Sequence, residues 1–216
     1  MDPLPFIFQH KIIAIIRGVL PANVVPIVHA LYEGGIRMVE ITLNSEMAFE
    51  LIRELSSGMK DKMLIGAGTV LDLPSARTAI AQGAQFIISP SLDIDLIKFV
   101  KEKKRVSIPG AFTATEIVSA FNAGADIVKV FPALNPQYIK DLMGPLSHIP
   151  LIPTGGINPD NINAFQKAGA VAFGIGSSLV NASQQITEEA LQQLSGKASQ
   201  FVQAVNNHLK GDEKLI

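Results

Sequence analysis

The segment Gly124-Ala125-Asp126-Ile127-Val128-Lys129-Val130 decides the fold. A glycine suited to end a helix is followed at once by a β-rich run too short to be one. Three other passages share this grammar: Gly34-Gly35-Ile36-Arg37-Met38-Val39-Glu40-Ile41, Gly83-Ala84-Gln85-Phe86-Ile87-Ile88-Ser89 and Gly169-Ala170-Val171-Ala172-Phe173-Gly174. Four further apolar runs, Ile12 to Ile16, Met63 to Ile65, Val106 to Ile108 and Ile149 to Ile152, bring the strand count to eight. The stretches between them carry helical periodicity, as in Val24, Val25, Val28 and Leu31, or Ala76 and Ile80. Thr113-Ala114-Thr115-Glu116 reads as a capping box, and Asn158-Pro159 as an N-cap followed by proline at the first helical position.

Strands that alternate with single helices pair in parallel through right-handed crossovers. At 216 residues, the pattern predicts an α/β fold, a (β/α)8 TIM barrel forming one domain over residues 1–216. Residues 1–10 are expected to cap the barrel bottom, and 187–210 to form a C-terminal helix region closing the wall. An open doubly wound sheet could also use eight such units, but the near-even spacing favours the barrel.

Composition narrows the function. The chain has 18 Lys and Arg against 19 Asp and Glu, a net charge of -1, with the basic residues scattered. Nothing suggests an electrostatic footprint for nucleic acid or an anionic membrane. The dense stretch from Lys101 to Arg105 is interrupted by Glu102 and reads as a solvated helix end. The absence of cysteine excludes disulfides, thiolate metal sites and a cysteine nucleophile. His10, His29, His148 and His208 are dispersed without a second ligand at metal spacing, so no metal site is expected. The N-terminus lacks a basic start followed by an apolar stretch, and no apolar run is long enough to cross a bilayer. A cytoplasmic protein is the expectation.

Two residues break the apolar pattern. Lys129 sits inside Ile127-Val128-Lys129-Val130-Phe131, and Glu40 between Val39 and Ile41. A buried ammonium is costly, and desolvation favours the neutral amine, the form that attacks carbonyl carbons. A desolvated carboxyl group suits repeated proton transfer. The alternative is structural: Lys129 snorkels, or forms a buried salt bridge with Glu40.

In a barrel, reactive residues gather at the C-terminal strand ends. Those ends carry Arg17-Gly18, Glu40 with Thr42 and Asn44, Gly66-Ala67-Gly68-Thr69, Ser89-Pro90, Pro109-Gly110, Lys129 with Phe131-Pro132, Pro153-Thr154-Gly155-Gly156 and Gly174-Ile175-Gly176-Ser177-Ser178. Glycines at the last two ends free backbone N–H groups which, at the start of a helix, suit a phosphate dianion, so Thr154, Gly155, Gly156, Gly176 and Ser177 are candidates. Arg17 either clamps a substrate carboxylate or pairs with Glu40.

This ordered set of strand ends, from Ile12-Ile13-Ala14-Ile15-Ile16-Arg17 through Val39-Glu40-Ile41-Thr42-Leu43, Ile65-Gly66-Ala67-Gly68-Thr69-Val70 and Val128-Lys129-Val130-Phe131-Pro132 to Pro153-Thr154-Gly155-Gly156-Ile157 and Gly176-Ser177, resembles the 2-keto-3-deoxy-6-phosphogluconate (KDPG) aldolases and the related 4-hydroxy-2-oxoglutarate aldolases. The resemblance covers nearly the whole chain. It implies a class I aldolase, needing neither metal nor organic cofactor, that cleaves a six-carbon keto acid phosphate, 2-keto-3-deoxy-6-phosphogluconate, to pyruvate and glyceraldehyde 3-phosphate. Lys129 would form the Schiff base and Glu40 would be the general acid/base. Thr69, Pro90 and Phe131 would surround the pyruvate moiety, and Thr154, Gly155, Gly156, Gly176 and Ser177 the phosphate. A homotrimer is also implied.

Some members carry an arginine shortly after the strand 2 glutamate, where this chain has Asn44. That leaves Arg17 for the carboxylate contact. The 6-phosphogalactonate epimer and 4-hydroxy-2-oxoglutarate, which would yield pyruvate and glyoxylate, stand as alternative substrates. Rival readings are a phosphate-binding barrel isomerase or decarboxylase in which Lys129 is only a proton donor, and a non-catalytic barrel that binds a phosphorylated ligand.

Overall fold

A computed structural model describes residues 2–206. Strands and helices alternate along the chain: α1 (Pro3–His10), β1 (Ile12–Ile16), α2 (Pro21–Glu33), β2 (Met38–Thr42), α3 (Ala48–Gly58), β3 (Leu64–Gly68), α4 (Leu73–Ala81), β4 (Phe86–Ile88), α5 (Ile94–Glu102), β5 (Val106–Ile108), β6 (Gly110–Ala111), α6 (Ala114–Asn122), β7 (Val128–Val130), α7 (Pro136–Leu146), β8 (Leu151–Pro153), α8 (Ile162–Lys167), β9 (Phe173–Ile175) and α9 (Glu188–Asn206). All strand pairs are parallel, in the orders β5-β4-β3-β2-β1-β9 and β6-β7-β8.

The two arcs are one barrel. β5 and β6 are halves of a single extended run broken at Pro109, and a parallel bridge from Thr154 to Gly174 joins β8 to β9. The sequence reading counts eight strands where the structure has nine, because proline has no N–H to give the ladder. Pro109 still accepts a hydrogen bond from the Lys129 N–H at 2.9 Å. The fold is therefore the α/β barrel, not the open sheet.

Strand parity sorts the residues. Ile13, Met38, Leu64, Phe86, Ile88, Val106, Ile108, Ile127, Ile152 and Ala172 pack inside the barrel, while Ile12, Ala14, Val39, Ile41, Ile65, Val128 and Phe173 face the helices. Successive strand residues point to opposite faces. Glu40, two residues beyond Met38, and Lys129, two beyond Ile127, therefore inherit the inward direction.

Helix ends follow local chemistry. Thr113 and Glu116 form a reciprocal capping box on α6. Asn158 instead caps a turn, accepting from the N–H groups of Asp160 and Asn161 at 3.0 Å each. The helix starts only at Ile162. Lys101, expected to be solvated, donates to Asp126 across the α5 to β7 gap.

At the base, α1 places Ile7, fully buried, in the interior cluster with Ile13, Met38 and Phe86. At the other wall α9 lies so close to the end of α2 that a Cβ on Gly34 would sit 2.4 Å from the Ser195 carbonyl oxygen. Of the region expected at 187–210, the residues from 207 onward, including His208, lie outside the described residues, as does Met1.

Ile7→Ala should leave an unfilled cavity and cost about 2–5 kcal/mol. The urea midpoint is expected to fall with an unchanged m-value, and activity per folded molecule to persist, since Ile7 lies at the opposite end from the strand C-termini.

Candidate active site

Lys129 and Glu40 are both nearly removed from solvent, at 4 % and 1 % exposure. Lys129 lines a cavity of about 310 Å³ at the C-terminal mouth, a volume that suits a small ligand. Its Nζ lies 5.2 Å from the centroid of the Phe131 ring, which forms an exposed edge of the cavity. Arg17, Thr69 and Pro90 line the side reached from β1, β3 and β4. Thr154, Gly155, Gly156, Gly176 and Ser177 line the side reached from β8 and β9.

Glu40 stands behind this wall instead of in it. Among the described residues both of its carboxylate oxygens lack a hydrogen-bond partner, and no ion pair joins it to Lys129 or Arg17. The buried salt bridge that would have made the pair structural is not formed. Burial pushes the Glu40 carboxyl up from the ordinary carboxylate range, opposed by the positive charges of Lys129 and Arg17.

Arg17 is exposed and donates to Thr69 Oγ1 at 3.2 Å, so it does not cross the mouth to Glu40. Thr69 itself has a φ of 55°, in the left-handed region a β-branched residue seldom occupies. Asn44 is exposed and outside the cavity wall.

The glycine-rich end is built from loops. Gly155 and Gly156 have φ of 100° and 69°, and Ser178 donates to the Ile157 carbonyl at 2.6 Å. Among the described residues the N–H groups of Gly156, Ser177 and Ser178 have no partner, while that of Gly155 faces Gly174 across the bridge to β9. Such a cluster of free N–H donors suits an anion. The sequence reading placed these donors at a helix start; the Asn158 turn displaces α8 and leaves the loop itself to present them.

Four cavity residues were missed as site residues: Ile15, Ile157, Gly174 and Ser178. Parity could have found Ile15, two positions before Arg17. Gly174 was visible only as a strand end, yet a Cβ there would lie 2.4 Å from Thr154 Oγ1, so its bareness makes room for that side chain. No cluster of three or more metal-ligating side chains exists among the described residues.

A parallel barrel with a cavity at its C-terminal mouth, lined by a buried amine and backed by a buried carboxyl group, has the layout of a barrel enzyme. Known proteins narrow the class: the KDPG and KHG aldolase family model matches residues 6–195, and the chain belongs to that family. It is an aldolase, a carbon–carbon lyase.

The chain is 37 % identical over 196 residues to a 2-dehydro-3-deoxy-6-phosphogalactonate aldolase of Escherichia coli strain K12, covering 89 % of this chain and 93 % of that protein. It is 36 % identical over 163 residues to the KHG/KDPG aldolase of the same strain, covering 74 % and 76 %. Among solved structures, one described as native KDPGal superposes with a TM-score of 0.86 at 35 % identity, covering 92 % of this chain and 96 % of that one. A Legionella pneumophila KDPG aldolase, solved with pyruvate captured as a covalent carbinolamine intermediate, gives 0.77 at 27 % identity, covering 94 % and 96 %.

The raised Glu40 carboxyl has a consequence for stability. Between its unfolded and folded values the folded state binds more protons, so stability falls as pH rises through that window and the penalty is complete above it. Glu40→Gln removes the penalty. Thermal melts should show the variant gaining nothing at about pH 4 and melting above the parent at about pH 9, by about 2–4 °C for each kcal/mol relieved.

Proposed function

We propose that the chain is a class I aldolase that cleaves 2-keto-3-deoxy-6-phosphogluconate to pyruvate and glyceraldehyde 3-phosphate through an imine on Lys129. The observation that carries this is a buried lysine lining an open cavity without a carboxylate to neutralise it. The covalent pyruvate adduct described for the Legionella relative supports the same chemistry.

In this reading the Lys129 amine attacks the C2 ketone, and the carbinolamine hydroxyl takes a proton from the Glu40 carboxyl group and leaves as water, giving an iminium. Glu40 takes the C4 hydroxyl proton, and the C3–C4 bond breaks with its electron pair entering the iminium. The aldehyde departs, Glu40 returns a proton to C3 of the enamine, and hydrolysis of the imine frees pyruvate. Arg17 holds the substrate carboxylate, with Thr69, Pro90 and Phe131 around the pyruvate portion. Thr154 and the N–H groups of Gly156 and Ser177, with Gly155 and Gly176, receive the phosphate.

A second reading, preference for the C4-epimeric galactonate, is favoured by the identity to the galactonate enzyme over 89 % of the chain. A cytoplasmic homotrimer belongs to the same proposal. Apolar side chains exposed around the mouth, such as Leu71, Ile94 and Leu134, provide contact surface, and a designed cage built from fused symmetric oligomeric domains superposes with a TM-score of 0.89.

Borohydride reduction in the presence of pyruvate, followed by peptide mass spectrometry, should place a pyruvyl adduct on Lys129. Lys129→Arg should give no adduct and no cleavage, because a guanidinium stays protonated. An adduct elsewhere, or none, overturns the imine mechanism. Assay of both epimers should give the higher kcat/KM for the gluconate form; the reverse order establishes the second reading.

A further inference from the structure

We infer that Gly68 is a positioning residue for the Glu40 carboxyl group, which is held in the volume that a side chain at position 68 would fill. The inference rests on the reading of Glu40 as the acid/base of the reaction.

An ideal Cβ built on Gly68 would lie 1.9 Å from Glu40 Oε1, 2.4 Å from its Cδ and 2.7 Å from its Cγ. These are the three nearest atoms to that point, and all belong to Glu40. Glu40 pairs with Gly66 in the β2–β3 ladder, whereas Gly68 pairs with Thr42. The side chain therefore leans two residue pairs towards the C-terminal mouth and rests its carboxyl group over Gly68.

No hydrogen bond or ion pair among the described residues fixes those oxygens. Shape does the fixing. The neighbouring gap over Gly66 is occupied by the Phe86 ring, 2.1 Å from an ideal Cβ, and serves packing alone.

The same carboxyl group has to reach the C4 hydroxyl and later C3 of the enamine, both beside the Lys129 imine carbon. A methyl group at position 68 would displace it without touching the amine. Imine formation and proton transfer should then separate.

The test uses the full chain and pyruvate. Reprotonation of the enamine is reversible, so the pyruvate methyl group exchanges with deuterated solvent at a rate that NMR reads. Gly68→Ala should keep borohydride trapping on Lys129 within about threefold of the parent and lose at least about 100-fold in methyl exchange. In a Glu40→Ala background, where the methyl group has room, the same change should cost no more than about twofold, because its effect passes through Glu40.

The inference is overturned if Gly68→Ala exchanges normally, if it slows exchange equally in both backgrounds, or if it loses trapping together with exchange in both. Should Gly68→Ala alone fail to fold, recovery of trapping in the double variant supports the contact, and failure of the double variant overturns it. Normal exchange in Glu40→Ala alone would instead sink the acid/base reading, which separates the two failures.

Discussion

Space on the axis of an eight-stranded barrel is set by strand number and tilt, so each side chain that crosses it requires an absent one beside it. Phe86 lies where Gly66 has no side chain, Glu40 where Gly68 has none, and Thr154 where Gly174 has none. The first of these pairings belongs to the apolar interior with Ile7, Ile13 and Met38; the other two lie nearer the mouth. One packing rule therefore builds a sealed base and a polar top from the same strands.

The electrostatics follow from that packing. A carboxyl group placed over a bare glycine backbone gains no donor, so burial dominates its ionisation and the charges of Lys129 and Arg17 only moderate it. Among the described residues no ion pair joins Lys129 to it; under the proposed chemistry a salt bridge there would tie up the amine that has to attack the ketone. The separation costs stability in the folded protein and keeps two complementary groups uncommitted, which is the kind of local conflict expected where function overrides packing.

Much of this was legible beforehand. Glu40 and Lys129 stood out as ionisable residues inside apolar runs, and the glycine-then-apolar grammar located the strand starts; the shared inward direction of the two side chains follows from alternation with Met38 and Ile127, which the sequence reading did not use. The strand β6 was missed because Pro109-Gly110 was read as the end of the Val106 to Ile108 run, and nothing local shows that Gly110 and Ala111 resume the ladder beyond the proline. The start of α8 was misread because Asn158 caps equally well a turn or a helix, and only the tertiary path decides between them. Gly68 and Gly174 were read as turn or strand-end glycines, since bareness for the sake of a side chain on the neighbouring strand leaves no local signature. Arg17 was left between two partners; its hydrogen bond to Thr69 settles that it stays on the rim.

The cavity also combines two kinds of anion-binding group. Among the described residues the ionisable side chains that line it are Arg17, just after β1, and Lys129, in β7, while β8 and β9 offer neutral N–H groups and hydroxyls. Full charges attract a carboxylate from a distance; oriented N–H dipoles reward an anion that fits their geometry. A substrate with a keto acid at one end and a phosphate at the other would meet a different kind of anion recognition at each end. Reversed, it would put the tetrahedral dianion against a planar guanidinium and leave the carboxylate with donors spaced for a phosphate. Under the proposed chemistry that asymmetry brings the ketone, not the phosphate ester, to the Lys129 amine before any bond is made.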